Sequence, residues 1–346
     1  MPGKKKTTLQ DIADALNLTP SAVSKALHDH PRISDQTKKA VLAMAEKLNY
    51  QRNTLASALR SGKSYLLGVM VPDIDFGFFS SVVRGIEEVS REAGYNVIIS
   101  QSNNRQDHEK AGLEAFLRTQ VDGVMASLAH STTRLDHYQN LLDNGIPLVL
   151  FDRVGTGLPV STVVIDDFAG AYAAVEHLLE QGCRRIVHFA GFRRISLYDV
   201  RCQAYQQALH DHGLAVDREL IVESDLTLQA GQQLMGELLA LGKRPDGLFA
   251  ASDHAALGAM HALQEAGYQV PKDVSVVGFS NEPFSAFIRP SLSSVDQQSL
   301  RMGRLAAQTL LENLREEVHP PRIIRKVLRP ELTIRQSSNR LALISQ

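Results

Sequence analysis

The chain has 346 residues, more than one ordinary domain, and its 44% of hydrophobic residues is ample for buried cores, so two or three globular domains are expected. There are only two cysteines, Cys183 and Cys202, which excludes a disulfide scaffold, and no apolar run approaches about 18 residues, which excludes a membrane span. The first residues also lack the apolar segment of a secretion signal, so a reduced, cytoplasmic protein is predicted. The net charge of −1 is unevenly distributed, because residues 1–63 contain eleven Lys and Arg against five acids, a charge of +6, and the remainder therefore carries −7.

The first predicted helix covers residues 9–16. Its apolar residues Leu9, Ile12, Ala13 and Leu16 have the i, i+3, i+4, i+7 spacing of an amphipathic helix. Thr8 is placed to cap it, with an aspartate at the third helical position as in a capping box.

A second helix is predicted from Pro20, directly after the capping residue Thr19, because the missing N–H of proline costs nothing at a first helical position. Its inward residues are Val23, Ala26 and Leu27, and its outward residues are Ser21, Ser24 and Lys25. This is the pattern of a helix-turn-helix whose second helix presents small polar and basic groups to DNA. An ordinary helical hairpin has the same spacing, but a basic head on a mildly acidic body favours a protein that binds a polyanion.

A third helix is predicted from Ser34, and its core-facing residues are Val41, Leu42, Met44, Ala45 and Leu48. Residues 53–60 then predict a capped helix of about two turns, which is too short to be stable in water unless it packs on something. Two copies could pair in a dimer and enter the minor groove with Leu59 between base steps. Alternatively, the segment is a linker whose Leu55 and Leu59 rest on the next domain.

Residues 8–62 resemble the headpiece of the lactose/galactose repressor (LacI/GalR) family, and the similarity extends to about residue 335. The matching segments are Leu9-x-Asp11-Ile12-Ala13, Val23-Ser24-x-Ala26-Leu27, Ile33-Ser34-x-x-Thr37, Leu48-x-Tyr50 and Asn53-x-x-Ala56-x-x-Leu59. The resemblance implies that Leu59 is the minor-groove lever and that the start of the second helix contacts bases, although Pro20 departs from the polar or aromatic residue common there. The predicted DNA-binding residues are Thr8, Thr19, Pro20, Ser21, Ser24, Lys25, His28, Asn53, Ala56 and Leu59.

From residue 64 onwards, apolar strands alternate with helices, which predicts parallel sheets covered on both faces. This alternation of strands and helices occurs twice, so two doubly wound subdomains are expected. The family resemblance implies a periplasmic-binding-protein-like body. The predicted helices begin near residues 80, 107, 135, 168, 199, 228 and 254. The predicted organisation is a headpiece at 1–52, a hinge helix and linker at 53–63, a first subdomain at 64–163 plus about 294–325, and a second at 164–293 plus about 326–340.

Ligands of such sheets bind beyond the carboxyl ends of the strands, so a site is expected in the cleft between the subdomains. The candidate residues are Asp73, Phe78, Phe79, Ser127, Asp152, Arg201 at a helix start, Asp225, Asp253, Asn281 and Gln297. Carboxylates, an arginine and aromatic rings suit a polyhydroxylated ligand. Any single aspartate at a strand end could instead be a helix cap.

The resemblance singles out two of these residues. Arg201, in Arg-x-x-x-Tyr, matches the arginine that grips the effector in the family, and Asp253, in Asp-x-x-Ala-Leu-Gly, matches its acidic partner. Residues 75–79 read Asp-Phe-Gly-Phe-Phe where relatives usually have Asn-Pro before the aromatics, and Leu226 stands where purine-binding relatives carry a stacking aromatic. A sugar or sugar phosphate is therefore expected rather than a nucleobase.

Enzyme motifs are incomplete. Residues 155–157 read Gly-Thr-Gly but lack the third glycine of a dinucleotide fingerprint, and residues 278–282 lack the closing glycine of a nucleophile elbow. Histidines near turns and helix ends, such as His28, His30, His210 and His212, are expected at the surface rather than as metal ligands. The sequence predicts no catalytic activity, no metal site and no cofactor.

The expected protein is a ligand-controlled homodimer that binds a near-palindromic operator in double-stranded DNA and represses transcription, without contact with a membrane. Dimerisation is expected through exposed apolar faces such as helix Phe79–Val89 or Ala255–Leu263. Two other classes remain open, a sugar-binding protein that does not control DNA and a DNA-binding architectural protein that does not respond to metabolites. A regulator with a non-sugar effector, or one that activates, is a further alternative.

Overall fold

The computed structural model describes residues 7–27, 29–50, 63–75, 77–315 and 322–340. It divides into two compact units, Met1–Ser64 and Tyr65–Gln346, which correspond to a headpiece and a body. His28, Asn53, Ala56 and Leu59 lie outside the described residues, so the hinge helix and its linker alternative both remain predictions. No helix in the described ranges combines the length and the apolar character needed to span a bilayer.

The headpiece contains three helices, α1 Leu9–Leu16, α2 Pro20–Leu27 and α3 Asp35–Lys47. The predicted capping box is present, because the Asp11 N–H donates to Thr8 Oγ1 at 3.3 Å and the Thr8 N–H donates to Asp11 Oδ2 at 2.7 Å. Ser34 caps α3 by accepting from the Thr37 N–H at 3.2 Å. The buried core consists of Ile12, Ala13, Val23, Ala26, Val41 and Ala45.

One predicted core residue of the headpiece is wrong. Leu42 is 56% exposed, whereas its neighbour Val41 is fully buried. Successive residues of an α-helix lie about 100° apart around its axis, so the stripe that contains Val41, Met44, Ala45 and Leu48 turns Leu42 towards solvent.

The body contains two six-stranded sheets. The first has the order β11-β5-β4-β3-β1-β2 and consists of β1 Leu66–Val71, β2 Asn96–Gln101, β3 Gly123–Ala126, β4 Leu148–Phe151, β5 Ser161–Ile165 and β11 Arg325–Leu328. The second has the order β12-β10-β9-β8-β6-β7 and consists of β6 Ile186–Gly191, β7 Ile221–Ser224, β8 Gly247–Ala250, β9 Ser275–Phe279, β10 Ser293–Asp296 and β12 Glu331–Thr333. All pairings are parallel except that of β10 with β12.

Helices connect the strands and cover both sheets, and the order predicted from the sequence is confirmed. They are α4 Gly77–Glu92, α5 Gln106–Thr119, α6 Asp136–Asp143, α7 Asp167–Glu180, α8 Ser196–Asp211, α9 Leu228–Ala240, α10 Asp253–Glu265 and α11 Ser299–Arg315. Single 3₁₀ turns occur at Arg218–Leu220 and Pro283–Ala286. Because α8 begins at Ser196, Arg201 lies in its second turn and not, as expected, at the start of a helix.

The chain crosses between the two sheets three times, and each crossing falls a few residues later than predicted. Ile165 still belongs to β5, β10 extends the second sheet to Asp296, and β11 pairs with β5 through Leu328. The predicted boundaries near 163, 294 and 325 are therefore too early, because pairing with a neighbouring strand, not local composition, decides which sheet a short strand joins.

The two helix faces proposed for dimerisation are buried within this chain. The apolar side of α4 packs on the first sheet and on α11, where a Cβ on Gly85 or Gly303 would collide with the backbone of the other helix. The apolar residues of α10, from Ala255 to Leu263, form part of the core of the second subdomain. The apolar faces of these helices are therefore not exposed as expected.

Candidate functional site

The outward face of α2 is accessible in the headpiece. Thr19, Pro20, Ser21 and Lys25 are exposed, and Ser24 is half-buried. Thr19 also caps α2, since its Oγ1 accepts from the Ala22 N–H at 3.2 Å. The arrangement places one ammonium and small hydroxyls on one side of a short helix, which is the chemistry needed for phosphate and base-edge contacts.

Thr8, also predicted to contact DNA, has a structural role. Its hydroxyl donates to Asp11 Oδ2 at 2.7 Å and accepts from the Asp11 N–H, so both atoms of the hydroxyl group serve the cap of α1. The side chain is exposed, and a contact with DNA would have to share an oxygen that already caps the helix.

A cavity of about 290 Å³ lies in the cleft of the body, at the carboxyl ends of strands from both sheets. Of the predicted effector-binding residues, those that line it are Asp73, Phe78, Phe79, Asp152, Arg201, Asp225 and Gln297. The first sheet and its helix α4 supply the first four, and the second sheet and its helix α8 supply the other three.

Arg201 lines the cleft and is almost fully buried, with 3% of its surface exposed. Its Nε donates to Asp167 Oδ1 at 2.8 Å, and its two terminal nitrogens donate to the Ala251 carbonyl at 3.1 Å and to Gln297 Oε1 at 3.3 Å. The guanidinium carbon lies 3.6 Å from the centre of the Phe279 ring, a cation–π contact.

The acidic partner of Arg201 is Asp167, the first residue of α7, and not Asp253 as the family resemblance implied. Burial raises the pKa of Asp167 above its ordinary value, although the guanidinium of Arg201 opposes the shift. The fixed pair orients the remaining N–H groups of Arg201 in the cavity.

Asp152 follows β4 in a left-handed backbone conformation, with φ of 56°. Its Oδ2 accepts from Ser127 Oγ at 3.4 Å and lies 3.9 Å from Arg153 Nε. Burial raises the pKa of Asp152 to about 6, although Arg153 and Arg201 oppose the shift. A buried carboxylate with such long contacts is suited to accept hydrogen bonds from ligand hydroxyls.

Glu282, in the loop after β9, reaches from the second subdomain to the start of α4 in the first. Its Oε1 accepts from the Phe78 N–H at 3.1 Å, and the Gly77 N–H also bonds to the carboxyl group. A Cβ on Gly77 would collide with this carboxylate. The pairing explains why α4 begins at Gly77, three residues before the predicted start.

Three predicted effector residues lie behind the cavity wall. Asp253 is fully buried, and its carboxylate accepts from the Glu282 N–H at 2.7 Å, from Ser285 Oγ at 2.9 Å and from Ser294 Oγ at 2.6 Å. Asn281 donates to Asp296 Oδ2 at 3.0 Å and accepts from an Arg335 N–H at 2.7 Å. Ser127 is buried beneath Asp152. All three support the loops that carry other lining residues.

Sequence reasoning missed several polar and aromatic residues of the lining, namely Asn104, His130, Tyr198, His254, Ser280 and Glu282. Many lie two to four residues beyond the end of a strand, so a search extended past the first residue after each strand would have found them. Ser280 has φ of 121°, a conformation unusual for a serine, and Gln297 Nε2 donates to its Oγ at 2.8 Å.

His130 comes from the first subdomain and contacts the second. Its ring packs edge-on against Tyr198 and Phe192, with ring centres 6.0 Å and 6.4 Å away. Burial lowers the pKa of His130 to about 3, so the ring is neutral near pH 7. Its Nε2 is buried and has no hydrogen-bond partner within the described part of the chain, which leaves it available to a ligand in the cavity.

Two protein-family models match the chain. Residues 8–53 match the model for bacterial regulatory proteins of the lacI family, and residues 175–338 match a periplasmic binding protein-like domain. Catabolite control protein A of Priestia megaterium is 31% identical over 332 residues, which cover 96% of this chain and 99% of that protein. The chain belongs to the LacI family.

Other similar proteins agree with this membership. The transcriptional repressor CytR of Escherichia coli strain K12 is 32% identical over 317 residues, which cover 91% of this chain and 92% of that protein. The solved complex of the transcriptional regulator CelR with cellobiose is 27% identical, with a TM-score of 0.73, and covers 96% of this chain and all of that one. A lac repressor dimer bound to operator and an anti-inducer has a TM-score of 0.85 at 23% identity over 96% of this chain and 99% of that one, which shows a shared fold.

Membership in the LacI family assigns a role to each unit of the molecule. The headpiece is a helix-turn-helix DNA-binding domain, and the body is an effector-binding domain of the periplasmic-binding-protein type. The chain is therefore a DNA-binding transcriptional regulator under the control of a small-molecule effector.

Proposed function

We propose that this LacI-family regulator is a cytoplasmic homodimeric repressor that binds a near-palindromic operator and whose affinity for it is controlled by a carbohydrate in the cleft of the body. The observation that carries the proposal is the buried position of Arg201, held by Asp167 and Phe279, in a cavity that aromatic rings and carboxylates of both subdomains line. No catalytic activity is proposed.

Carbohydrate recognition is supported by the mixture of groups in the cavity. Asp152 and the remaining N–H groups of Arg201 can bind vicinal hydroxyls, and the rings of Phe79 and Tyr198 can pack on the apolar face of a sugar. Leu226 lines the cavity where an aromatic residue would be needed to stack on a nucleobase. The bound cellobiose in the similar regulator CelR supports the same class of ligand.

DNA recognition is assigned to α2, with Ser21 and Lys25 as the most exposed polar groups of its outward face. Thr19, Pro20 and Ser24 are proposed to lie against the backbone or base edges, and the hinge residues Asn53, Ala56 and Leu59 to enter the minor groove. A dimer presents two such helices, which fits two half-sites related by a twofold axis. Phe287, 80% exposed, is a candidate for the dimer contact in place of the two buried helix faces.

Control follows from linkage. If the effector and the operator bind preferentially to different arrangements of the two subdomains, each changes the affinity of the other by the same factor. A repressor arises when the bound dimer covers a promoter, and the effector then acts by shifting the population that is able to bind DNA.

The test is an electrophoretic mobility-shift titration of the full chain against a near-palindromic operator selected from a random library, repeated with each member of a sugar panel. We expect retardation of one selected sequence at nanomolar protein and a change in affinity with at least one sugar. A protein that retards no duplex at low salt, or retards all duplexes equally with every sugar present, would contradict the proposal. Analytical ultracentrifugation of the same samples reports the dimer.

A further inference from the structure

We infer that the cavity selects an uncharged polyol and excludes phosphorylated carbohydrates, because carboxylates and amide or carbonyl oxygens of the chain already occupy the positions that would bind a phosphate. This inference rests on the proposed carbohydrate effector. It specifies the charge of that ligand from the contacts of Glu282, Arg201 and Arg153.

The first such position is the amino end of α4, at the edge of the cavity. The unpaired N–H groups of a first helical turn, together with the helix dipole, commonly bind phosphates in proteins. Here the carboxylate of Glu282 binds the N–H groups of Gly77 and Phe78, and only 5% of Glu282 is exposed. A phosphate would have to displace a carboxylate whose own backbone N–H is held by Asp253.

The second position is Arg201. A guanidinium has five N–H donors, and at least three of them are bound by Asp167, the Ala251 carbonyl and Gln297. The ion pair with Asp167 neutralises its charge. What remains is a directed donor that suits a hydroxyl and lacks the free charge and the open pair of N–H groups that bind a phosphate in a bidentate manner.

The third position is Arg153. Its Nη1 donates to Asn104 Oδ1 at 2.6 Å, its guanidinium lies over the Phe79 ring at 5.5 Å, and its Nε is 3.9 Å from Asp152 Oδ2. Asp152 has no other cationic partner at ion-pair distance among the described residues. A phosphate that recruited Arg153 would therefore leave a buried carboxylate without its counter-charge.

The remaining charges of the cavity add to the exclusion. The lining includes four carboxylates, Asp73, Asp152, Asp225 and Glu282, against two guanidinium groups. Burial lowers the pKa of both lining histidines, His130 and His254, so neither supplies a positive charge near pH 7. The electrostatic potential in the cavity thus opposes an anion, whereas hydroxyl groups find acceptors in the carboxylates and a free ring nitrogen in His130.

The test is calorimetric titration of the full chain with matched pairs, such as glucose with glucose 6-phosphate, ribose with ribose 5-phosphate and cellobiose with its phosphorylated form. We expect every compound that binds to be uncharged, and its phosphorylated partner to bind at least about 100-fold more weakly, since an unpaired like charge in a desolvated site costs several kcal/mol. A phosphorylated sugar that binds as well as its partner would overturn the inference. A panel in which nothing binds would overturn it as well, because the cavity would then not be a carbohydrate site.

A charge-removing variant locates the effect. Glu282→Gln keeps an oxygen that accepts from the Phe78 N–H but removes the negative charge. The difference in affinity between an uncharged sugar and its phosphorylated form should therefore narrow by about tenfold. Glu237→Gln, on the exposed surface of α9, is the matched control and should leave the difference unchanged. An unchanged difference in Glu282→Gln would show that this carboxylate does not exclude phosphate.

The operator assay separates this inference from the proposed function. If a phosphorylated sugar changes operator affinity and an uncharged one does not, the proposed function stands and the inference falls. If no operator is bound, the proposed function falls whatever the calorimetry shows.

Discussion

The headpiece and the body each contain an ion pair of nearly the same length in very different surroundings. Lys38 Nζ lies 2.6 Å from Asp29 in the headpiece, and the Asp29 side chain is 89% exposed. Arg201 lies 2.8 Å from Asp167 in the body, and these side chains are 3% and 12% exposed. The hydrogen bond from Lys38 lowers the pKa of Asp29, whereas burial raises the pKa of Asp167 despite its cation. Solvation, not distance, therefore decides what such a pair contributes.

Of the variants that test this difference between the two ion pairs, Arg201→Met is expected to have the largest effect on stability. It leaves the Asp167 carboxylate buried without its cation, which should lower the free energy of unfolding of the body by about 3–5 kcal/mol. The equivalent headpiece variant, Lys38→Met, leaves an exposed aspartate and should have a much smaller effect. Urea unfolding of both variants, followed by circular dichroism, measures the difference.

A double variant tests whether the lost stability comes from the unpaired charge of Asp167. Arg201→Met with Asp167→Asn removes both charges and should recover most of the lost stability, because no unpaired charge is then buried. Its operator affinity should no longer respond to any sugar that acts on the wild type. Full stability of the single variant would contradict the comparison, and a retained sugar response in the double variant would show that Arg201 does not bind the effector.

The second largest effect concerns pH and Asp152. Burial raises its pKa in the folded state to about 6, above the ordinary value of 3.8. The folded protein therefore binds this proton more tightly than the unfolded chain, and stability falls as pH rises from about 4 to about 6. Asp152→Asn should remove roughly 3 kcal/mol of that fall, measured as the difference in unfolding free energy between pH 4 and pH 7.

Asp29 supplies the opposite case. Its pKa is lowered in the folded state, so the stabilisation it gives is present above its ordinary pKa and is lost as the pH falls through the lowered value. Asp29→Asn should therefore change the pH dependence with the reverse sign. If Asp152→Asn and wild type lose stability in parallel between pH 4 and pH 7, the assignment of the raised pKa to Asp152 is wrong.

Much of the fold could be predicted because apolar runs and their spacing are local properties of the sequence. The alternating strands and helices up to β9 follow from such runs, and so does the capped headpiece. The elements α11 and β10 to β12 were not located, since strands such as Arg325–Leu328 and Glu331–Thr333 are short and partly polar. Which sheet each of them joins depends on its neighbours, which local composition does not contain.

The residues of the site could be predicted only where a place directly after a strand is enough to bring a side chain into the cavity. The strand-end rule located Asp73, Asp152 and Asp225, which line the cavity. Asp253 obeys the same rule but turns into the protein, because three donors behind the wall bind its carboxylate. Glu282 was missed as a site residue because its partner, the start of α4, lies more than 200 residues away in the sequence. In the headpiece, by contrast, the outward residues of α2 could be predicted from helical spacing alone, because no contact with a distant part of the chain positions them.

A smaller effect is expected at Thr8 in the headpiece. Thr8→Ala removes the hydroxyl that caps α1 and should destabilise this helix by about 1 kcal/mol, which is about a fivefold faster hydrogen exchange of its protected amides. Thr8→Ser retains the hydroxyl and is the control. Because the cap is local, the body should be unaffected in both variants. Slower operator binding by Thr8→Ala without faster exchange would assign Thr8 to DNA contact instead of capping.

The smallest effect on the fold and the most specific one on function is expected at Lys25. Its exposed ammonium on α2 forms no ion pair within the described part of the headpiece, so Lys25→Ala should leave stability unchanged. If Lys25 binds a phosphate, the slope of log affinity against log salt should decrease by about 1, equally for operator and for unrelated duplex DNA. Lys39→Ala removes another exposed charge, from α3, and should leave the slope nearly unchanged. Equal changes in both variants would mean that the headpiece attracts DNA through its overall charge, and that α2 has no privileged position on the duplex.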